Sequence, residues 1–514
     1  MSIKRVKKNK LKLVLLLSII IIPLVFAGIL FIGRIAPYSV IPDSFIAYAH
    51  IPNPINTADK LLAHEPFSDM LLTPYFSSSL PAVSAIKSSG ILEKKLVRYV
   101  GKGALEGALF FDGKFLAAWD IGIASHFIRF FPNIAGKLAI TNLQKGKKSR
   151  FEYRVSDDNV IFIQPYKNLL IISNNLKLFE SVFDGTSRNA KPGRKSPKIF
   201  VSNNFDAGFL VASESVVSWI SASSPMAGSF LKHIEFADFA EMGLSIIEDK
   251  IDFSIISHVA SGNADINKLI TRDSKMPTLI QRLPAITQYS TILSIGSIEE
   301  LLNASIAVSQ KMPVNLRQID RASRIFLGVG LGDLLFSWTG TEFAILGIEG
   351  RDYPLFVLQI SDEQKRKEVF EKLSPAADVP AAKASIPVSQ IKLPGFLNMI
   401  LNMWNVKISA PYYIVQNEFL FLSESPETIF SAIDSTRKED LLLETELWKS
   451  LSMPDADAGS YKSSLMLFYS LDCILPFFMK SNDIFEEALK LYRHGLAKVN
   501  ITDGVLEVKL AAVK

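Results

Sequence analysis

Residues 168–186 and 418–436 align without a gap, and this pair limits the chain's fold more than any other feature. Leu170/Leu420, Ser173/Ser423, Ser181/Ser431, Asp184/Asp434 and Thr186/Thr436 are identical, and most other positions keep apolar character. Each copy reads as a buried strand, a serine-bearing cap region and a short helix, with Pro426 at a first helical turn, where its fixed φ and missing donor cost nothing. Further pairs follow in the same order. Pro42–His50 matches Pro284–Leu293. The hairpin around Asp112-Gly113 matches the one around Glu349-Gly350. Gly243–Ile256 matches Ala497–Leu510, with turns at Asp249-Lys250 and Asp503-Gly504. Four ordered matches imply an internal duplication.

The recurring order is strand, turn, strand, helix. It implies α+β units of antiparallel sheet with helices packed on one face, and it does not favour a Rossmann-type parallel sheet. In the second unit the helix after Ile360 is expected to be capped by Ser361 and to carry Lys365-Arg366-Lys367-Glu368 on its surface.

Ahead of the repeats, Lys4, Arg5, Lys7, Lys8, Lys10 and Lys12 precede an uncharged run from Leu13 to Gly33, closed by Arg34. As a helix rising ~1.5 Å per residue, that run matches the ~30 Å hydrocarbon core of a bilayer. The basic flank places the N-terminus in the cytoplasm. Val25-Phe26-Ala27 has the form of a cleavage site, so cleavage after Ala27 is the alternative. Continuation of the run through Gly28–Ile32 favours an uncleaved signal anchor.

The expected fold class is thus an N-terminal transmembrane helix followed by two related α+β domains. The expected segments are a basic cytoplasmic tail (1–12), the anchor (13–33) and extracytoplasmic repeats at 37–262 and 280–514. About 480 residues beyond the anchor exceed one core.

The formal charge of +5 is a topology signal: without the six basic residues of the tail, the remainder carries −1. No nucleic-acid partner is expected. A single cysteine, Cys473, excludes an intrachain disulfide framework and lies in an apolar setting suited to an inert thiol. The 35 phenylalanines suit a large core or, as the alternative, a hydrophobic binding groove.

In the second half, Trp338, Gly340 and Glu342, the strand at Tyr353–Ile360 and the Glu418–Ser425 strand and cap carry a resemblance. The chain resembles a bacterial family of signal-anchored extracytoplasmic proteins of uncharacterised function built from tandem α+β units. The first half has Tyr99, Gly101 and Gly103 at the matching place and lacks the acidic residue. The resemblance implies a fold and a periplasmic location at the cytoplasmic membrane. It supplies no catalytic residue.

Motifs for chemistry are weak. The histidines at 50, 64, 126, 233, 258 and 494 form no ligand spacing, and His50 reads as a surface or edge residue. Ser84 and Lys87 have Ser-x-x-Lys spacing, as do Ser389/Lys392 and Ser435/Lys438, but no Lys-Thr-Gly partner exists. Gly101–Gly107 and Gly328–Gly332 read as helix stops or tight turns rather than phosphate loops. No catalytic, cofactor-binding or metal-ligating residue is expected.

Two surfaces stand out instead. Gly395–Asn405 reads as a helix whose broad apolar arc suits burial on most sides; as the alternative, Phe396, Met399, Met403 and Trp404 are its candidate contacts for a lipid or a partner helix. Lys145, Lys147, Lys148 and Arg150, with Arg188, Lys191, Arg194 and Lys195, read as solvated basic loops or, as the alternative, as contacts for an anionic surface. The expected function is a non-catalytic, anchored binding or scaffold protein of the envelope with a protein partner. The alternatives are a carrier or chaperone for a lipid or other hydrophobic ligand and, less favoured, an envelope hydrolase.

Overall fold

The duplicated segment folds as its pattern predicts in both places. Leu169–Ser173 and Phe419–Ser423 are strands, followed by helices Leu176–Asp184 and Pro426–Arg437. The computed structural model describes residues 34–73, 80–110, 113–126, 143–145, 150–154, 160–184, 205–214, 237–258, 277–294, 316–373, 378–379, 388–393, 408, 410–451, 465–470, 491–502 and 505–514. The fold is mixed α+β, with antiparallel sheet and several helices. No helix among the described residues is long and apolar enough to cross a membrane. The expected span at 13–33 lies outside them, as does the tail at 1–12.

By contacts the chain divides into Met1–Leu62 with Leu80–Leu210, and Ala63–Ser79 with Val211–Lys514. The first unit contains β1 (Ala47–Ile51), β2 (Leu105–Leu109), β3 (Phe115–Asp120), β4 (Leu143–Lys145), β5 (Phe151–Arg154), β6 (Val160–Tyr166), β7 (Leu169–Ser173) and, up to Leu210, the larger part of β8 (Ala207–Ala212). Its strands lie in the order β4-β5-β6-β7-β3-β2-β1-β8.

The second unit contains β9 (Phe239–Ile247), β10 (Lys250–His258), β11 (Thr287–Ser294), β12 (Thr339–Ile348), β13 (Leu355–Ile360), β14 (Asp378–Val379), β15 (Val388–Gln390), β16 (Tyr412–Gln416), β17 (Phe419–Ser423), β18 (Leu465–Ser470), β19 (His494–Thr502) and β20 (Val505–Val513). Here the order is β14-β15-β16-β17-β13-β12-β11-β18-β19-β20-β10-β9. The first eight positions repeat the order of the first unit. The contact division does not follow the repeat boundary, because β10 pairs with β20 along its full length, from Lys250↔Val513 to His258↔Val505.

One bond recurs at the same place in both units. The Ser173 hydroxyl donates to the Phe115 carbonyl at 2.6 Å and accepts from the Asn175 amide at 3.0 Å. The Ser423 hydroxyl donates to the Pro354 carbonyl at 2.9 Å and accepts from the Ser425 amide at 3.3 Å. Each serine is fully buried and ties the end of its strand to the neighbouring strand. The helix caps sit two residues on. Asn175 accepts from the Leu178 amide at 3.1 Å, and Ser425 from the Thr428 amide at 3.3 Å.

The second unit departs from the expected single helical face. All five residues of β17 are buried, so both of its faces need cover. One cluster joins Ile292, Leu346, Val357, Phe419 and Phe421 to Ile429 and Ile433 of helix Pro426–Arg437 and to Trp448. The other joins Phe356, Leu420 and Leu422 to Trp338, Leu334, Val369 and Phe370. Helices therefore lie on both sides.

Two local expectations also change. Asp362, not Ser361, caps helix Glu363–Leu373, accepting from the Lys365 amide at 3.0 Å, while the Ser361 hydroxyl donates to the Thr339 carbonyl. Arg366 is 5% exposed rather than on the surface. Its guanidinium makes bidentate bonds to Glu363 at 2.7 and 2.9 Å and lies over the Phe370 ring. Its apolar stem and planar head suit that site, where a lysine's compact ammonium would not.

Candidate interaction surface

The polar and aromatic residues that the sequence singles out are spent on holding the fold. Glu342 of β12 is 8% exposed, and its carboxylate accepts from the Thr278 amide (2.9 Å), the Thr278 hydroxyl (3.0 Å) and the Leu279 amide (2.8 Å). From β12 it caps the start of the 3₁₀ helix Thr278–Arg282. Trp338 donates its indole N–H to the Leu334 carbonyl at 2.9 Å and packs edge-on against Phe370. A Cβ on Gly340 would crowd the Gln359 side chain. The Trp-x-Gly-x-Glu segment is thus a packing and capping device.

His50 is not an edge residue. β1 is paired on both sides, with β2 and β8, and the His50 side chain is 17% exposed. Its Nδ1 lies 3.1 Å from Oε1 of Glu106, directly opposite in register, and Glu106 is 2% exposed. The matching positions of the second unit are Ile292 and Ala344, both core residues. The sequence signal for the pair was Glu106 alone among apolar residues of a strand, facing His50 once the hairpin register is drawn. Two groups do not make a metal site. Among the described residues no group of three or more His, Cys, Asp or Glu is placed to hold a metal ion.

His64 is 1% exposed. Its Nδ1 bonds the Glu248 carbonyl oxygen, and its Nε2 lies 2.9 Å from the Tyr492 hydroxyl. Burial pushes the Tyr492 phenol well above the ordinary tyrosine value. Ser84 and Lys87 are both exposed on helix Leu80–Ser89. The Ser435 hydroxyl donates to the Asp440 carbonyl. Gly328, with φ +71°, stops helix Leu316–Leu327, and Gly101 caps helix Lys95–Val100. Cys473 and His233 lie outside the described residues.

Phe396, Met399, Met403 and Trp404 lie outside the described residues, as do Lys147, Lys148, Arg188, Lys191, Arg194 and Lys195. Lys145 ends β4 opposite Phe151. Arg150 bonds Glu152 at 2.8 Å and Glu180 at 3.4 Å and lies over the Phe162 ring, with 15% of its side chain exposed.

Partly buried charged groups lie on β9 and β10. Lys250 and Asp252 pair at 3.2 Å. Burial raises the Asp252 carboxyl above its ordinary value, and Lys250 opposes the shift. Burial likewise raises Glu241, opposed by His258. In the folded state these carboxyls hold their protons more tightly than in the unfolded chain. Their contribution is therefore fully present below the ordinary carboxyl value near ~4 and is lost as pH rises through the raised folded values. Denaturation of the Asp252→Asn, Glu241→Gln double variant across that window is expected to show a flatter pH dependence than the parent. An unchanged slope would contradict this assignment.

The surface feature that the sequence reading missed is a pair of apolar side chains held in water. Ile325 is 69% exposed and Phe326 79%. They sit in the last turn of helix Leu316–Leu327, and the residues after it are braced. Asp320 accepts from the Leu331 amide at 2.8 Å and from the Arg324 guanidinium at 2.9 Å, and the Ser323 hydroxyl donates to the Val329 carbonyl at 2.8 Å. The available signal was the apolar run Ile325-Phe326-Leu327 after Arg321 and Arg324, immediately before a glycine stop.

No family model and no curated protein sequence matches the chain. Among solved structures, crystal form IV of TP0453 is similar over 44% of this chain and 81% of its own, at 13% identity and TM-score 0.28. Crystal form III of the same protein covers 48% and 85%, at 14% identity and TM-score 0.26.

Proposed function

We propose that the chain is a non-catalytic binding or scaffold protein of a bacterial envelope. In this reading Leu13–Gly33 is a single-pass signal anchor with residues 1–12 in the cytoplasm. Two related α+β domains, 37–262 and 280–514, lie in the periplasm, as in the signal-anchored family that the sequence resembles. The observation that carries the reading is the repeated strand order, closed in each unit by the same serine bond. A duplicated unit offers two similar surfaces and suits bridging between partners. The capping and packing roles of Glu342, Trp338, His64 and Ser173 support binding rather than catalysis.

A carrier for a lipid is the second reading. It is favoured by Met242, Leu244, Phe253, Ile255, Val508 and Leu510, which share one face of β9, β10 and β20 and are all partly exposed. Native mass spectrometry of the full chain, gently extracted from its own membrane, separates the two. A stoichiometric protein companion or a homo-oligomer is the expected result. A co-purifying lipid mass would replace the scaffold with the carrier, and a bare monomer would overturn both.

A further inference from the structure

We infer that the Ile325–Phe326 helix end is a second membrane contact, one that docks on anionic phospholipid headgroups. The inference rests on the anchored reading only for its place beside a bilayer. Three observations carry it. First, Ile325 and Phe326, 69% and 79% exposed, are adjacent in the chain, whereas the other strongly exposed large apolar side chains among the described residues, Leu72 and Tyr99, stand singly. Gly328 beyond the pair would meet nothing within 4 Å even with a Cβ added. The end is convex and open. A convex tip of two side chains offers too little area for a stable protein interface, which buries on the order of 1,000 Å² or more. A bilayer interface accepts such a tip, because the apolar groups sink to the headgroup boundary without a matching cavity.

Second, the tip is held outward. Ser323 is fully buried, and Leu327 and Val329 pack on the core. Ile325 therefore projects from the opposite side of the helix, next to Arg321. The Asp320 bonds to Leu331 and Arg324 and the Ser323 bond to Val329 prevent the last turn from rotating Ile325 inward. These bonds hold apolar area in water that burial would otherwise favour.

Third, the charge has the right sign. Helix Leu316–Leu327 carries Arg317, Arg321 and Arg324 against Asp320 alone. Asp333 also acts on Arg324, so Arg324 is balanced locally. Arg321 is exposed and makes no ion pair among the described residues. Its guanidinium is free for a phosphate oxygen.

The test uses the full chain in proteoliposomes, with Cys473→Ser removing the single native thiol. An environment-sensitive fluorophore is attached at Phe326→Cys and, separately, at Glu371→Cys on exposed helix surface. Vesicles contain either phosphatidylcholine alone or phosphatidylglycerol with phosphatidylcholine, and brominated acyl chains serve as quenchers. At position 326 the emission should shift to the blue and be quenched in the phosphatidylglycerol vesicles. Position 371 should show neither effect. Arg321→Ala should lower the docked-to-free ratio about fivefold, and 1 M salt should suppress docking as screening shortens to ~3 Å.

Equal signals in the two vesicle types would overturn the headgroup assignment. Identical spectra at 326 and 371 would overturn the contact itself, as would a signal that follows crosslinking of two copies through position 326. Flotation after an alkaline wash reads the anchor independently. A chain that washes off while position 326 still responds would refute the anchored reading and leave this one standing.

Discussion

Glu342→Ala should destabilise the second unit by about 3 kcal/mol or more. The carboxylate accepts three hydrogen bonds and is itself nearly buried. Two of the donors are backbone amides at the start of a 3₁₀ helix whose residues Leu279 and Ile280 are 1% and 0% exposed. Removing the acceptor leaves the Leu279 amide without a bond in an apolar setting, at about 1–3 kcal/mol per buried donor. Loss of a negative charge at a helix start adds a smaller amount. Glu342→Gln should cost less, since one acceptor oxygen remains. The measurement is the denaturant midpoint together with hydrogen exchange at Leu279 and Ile280. An unchanged midpoint in Glu342→Ala would show that the cap is not structural.

The second large effect concerns the chain just beyond the expected anchor. Asn168 is the second residue of the tight β6–β7 turn and is 6% exposed. Its amide oxygen accepts from the Ile35 backbone N–H at 2.8 Å. Its amide nitrogen donates to the Ile35 carbonyl at 3.1 Å and to Asp120 at 2.9 Å. One side chain thus ties the segment that leaves Arg34 to the first unit at both of its polar groups. Asn168→Ala should cost about 1–3 kcal/mol locally. The readout is tryptic cleavage after Arg34, followed by mass, which should accelerate about tenfold. If the cut after Arg34 is no faster, the tether is held elsewhere. Asn168→Asp is a sharper control, since it keeps an acceptor for the Ile35 amide and loses the donor to its carbonyl.

Much of the architecture was legible in the sequence because it depends on local patterns. The strand–serine–helix segments at 168–186 and 418–436, the glycine stop at Gly328 and the Ser425-Pro426 helix start depend on residues within a few positions of each other. What was misread depends on neighbours far along the chain. Phe419–Ser423 gave no sign that it needed cover on two faces, since a run of apolar residues reads alike whether one or two layers of helices lie over it. Arg366 looked like surface because its helix is dense in charge. Its burial follows from Phe370 and from Tyr413 on a strand far along the chain. His50 looked like the end of an edge strand until pairing set it opposite Glu106.

By itself the sequence determined that the chain is built from repeated strand and helix segments behind a basic, apolar N-terminal stretch. Periodicity, caps and turns are short-range physics and need no partner. Only the tertiary structure decided which polar groups are spent inside the fold and which side chains face water. Glu342 could have been an acid in a site, and Ile325 and Phe326 could have been core. Burial and hydrogen-bond satisfaction are set by what packs against a residue, and those partners come from distant parts of the chain.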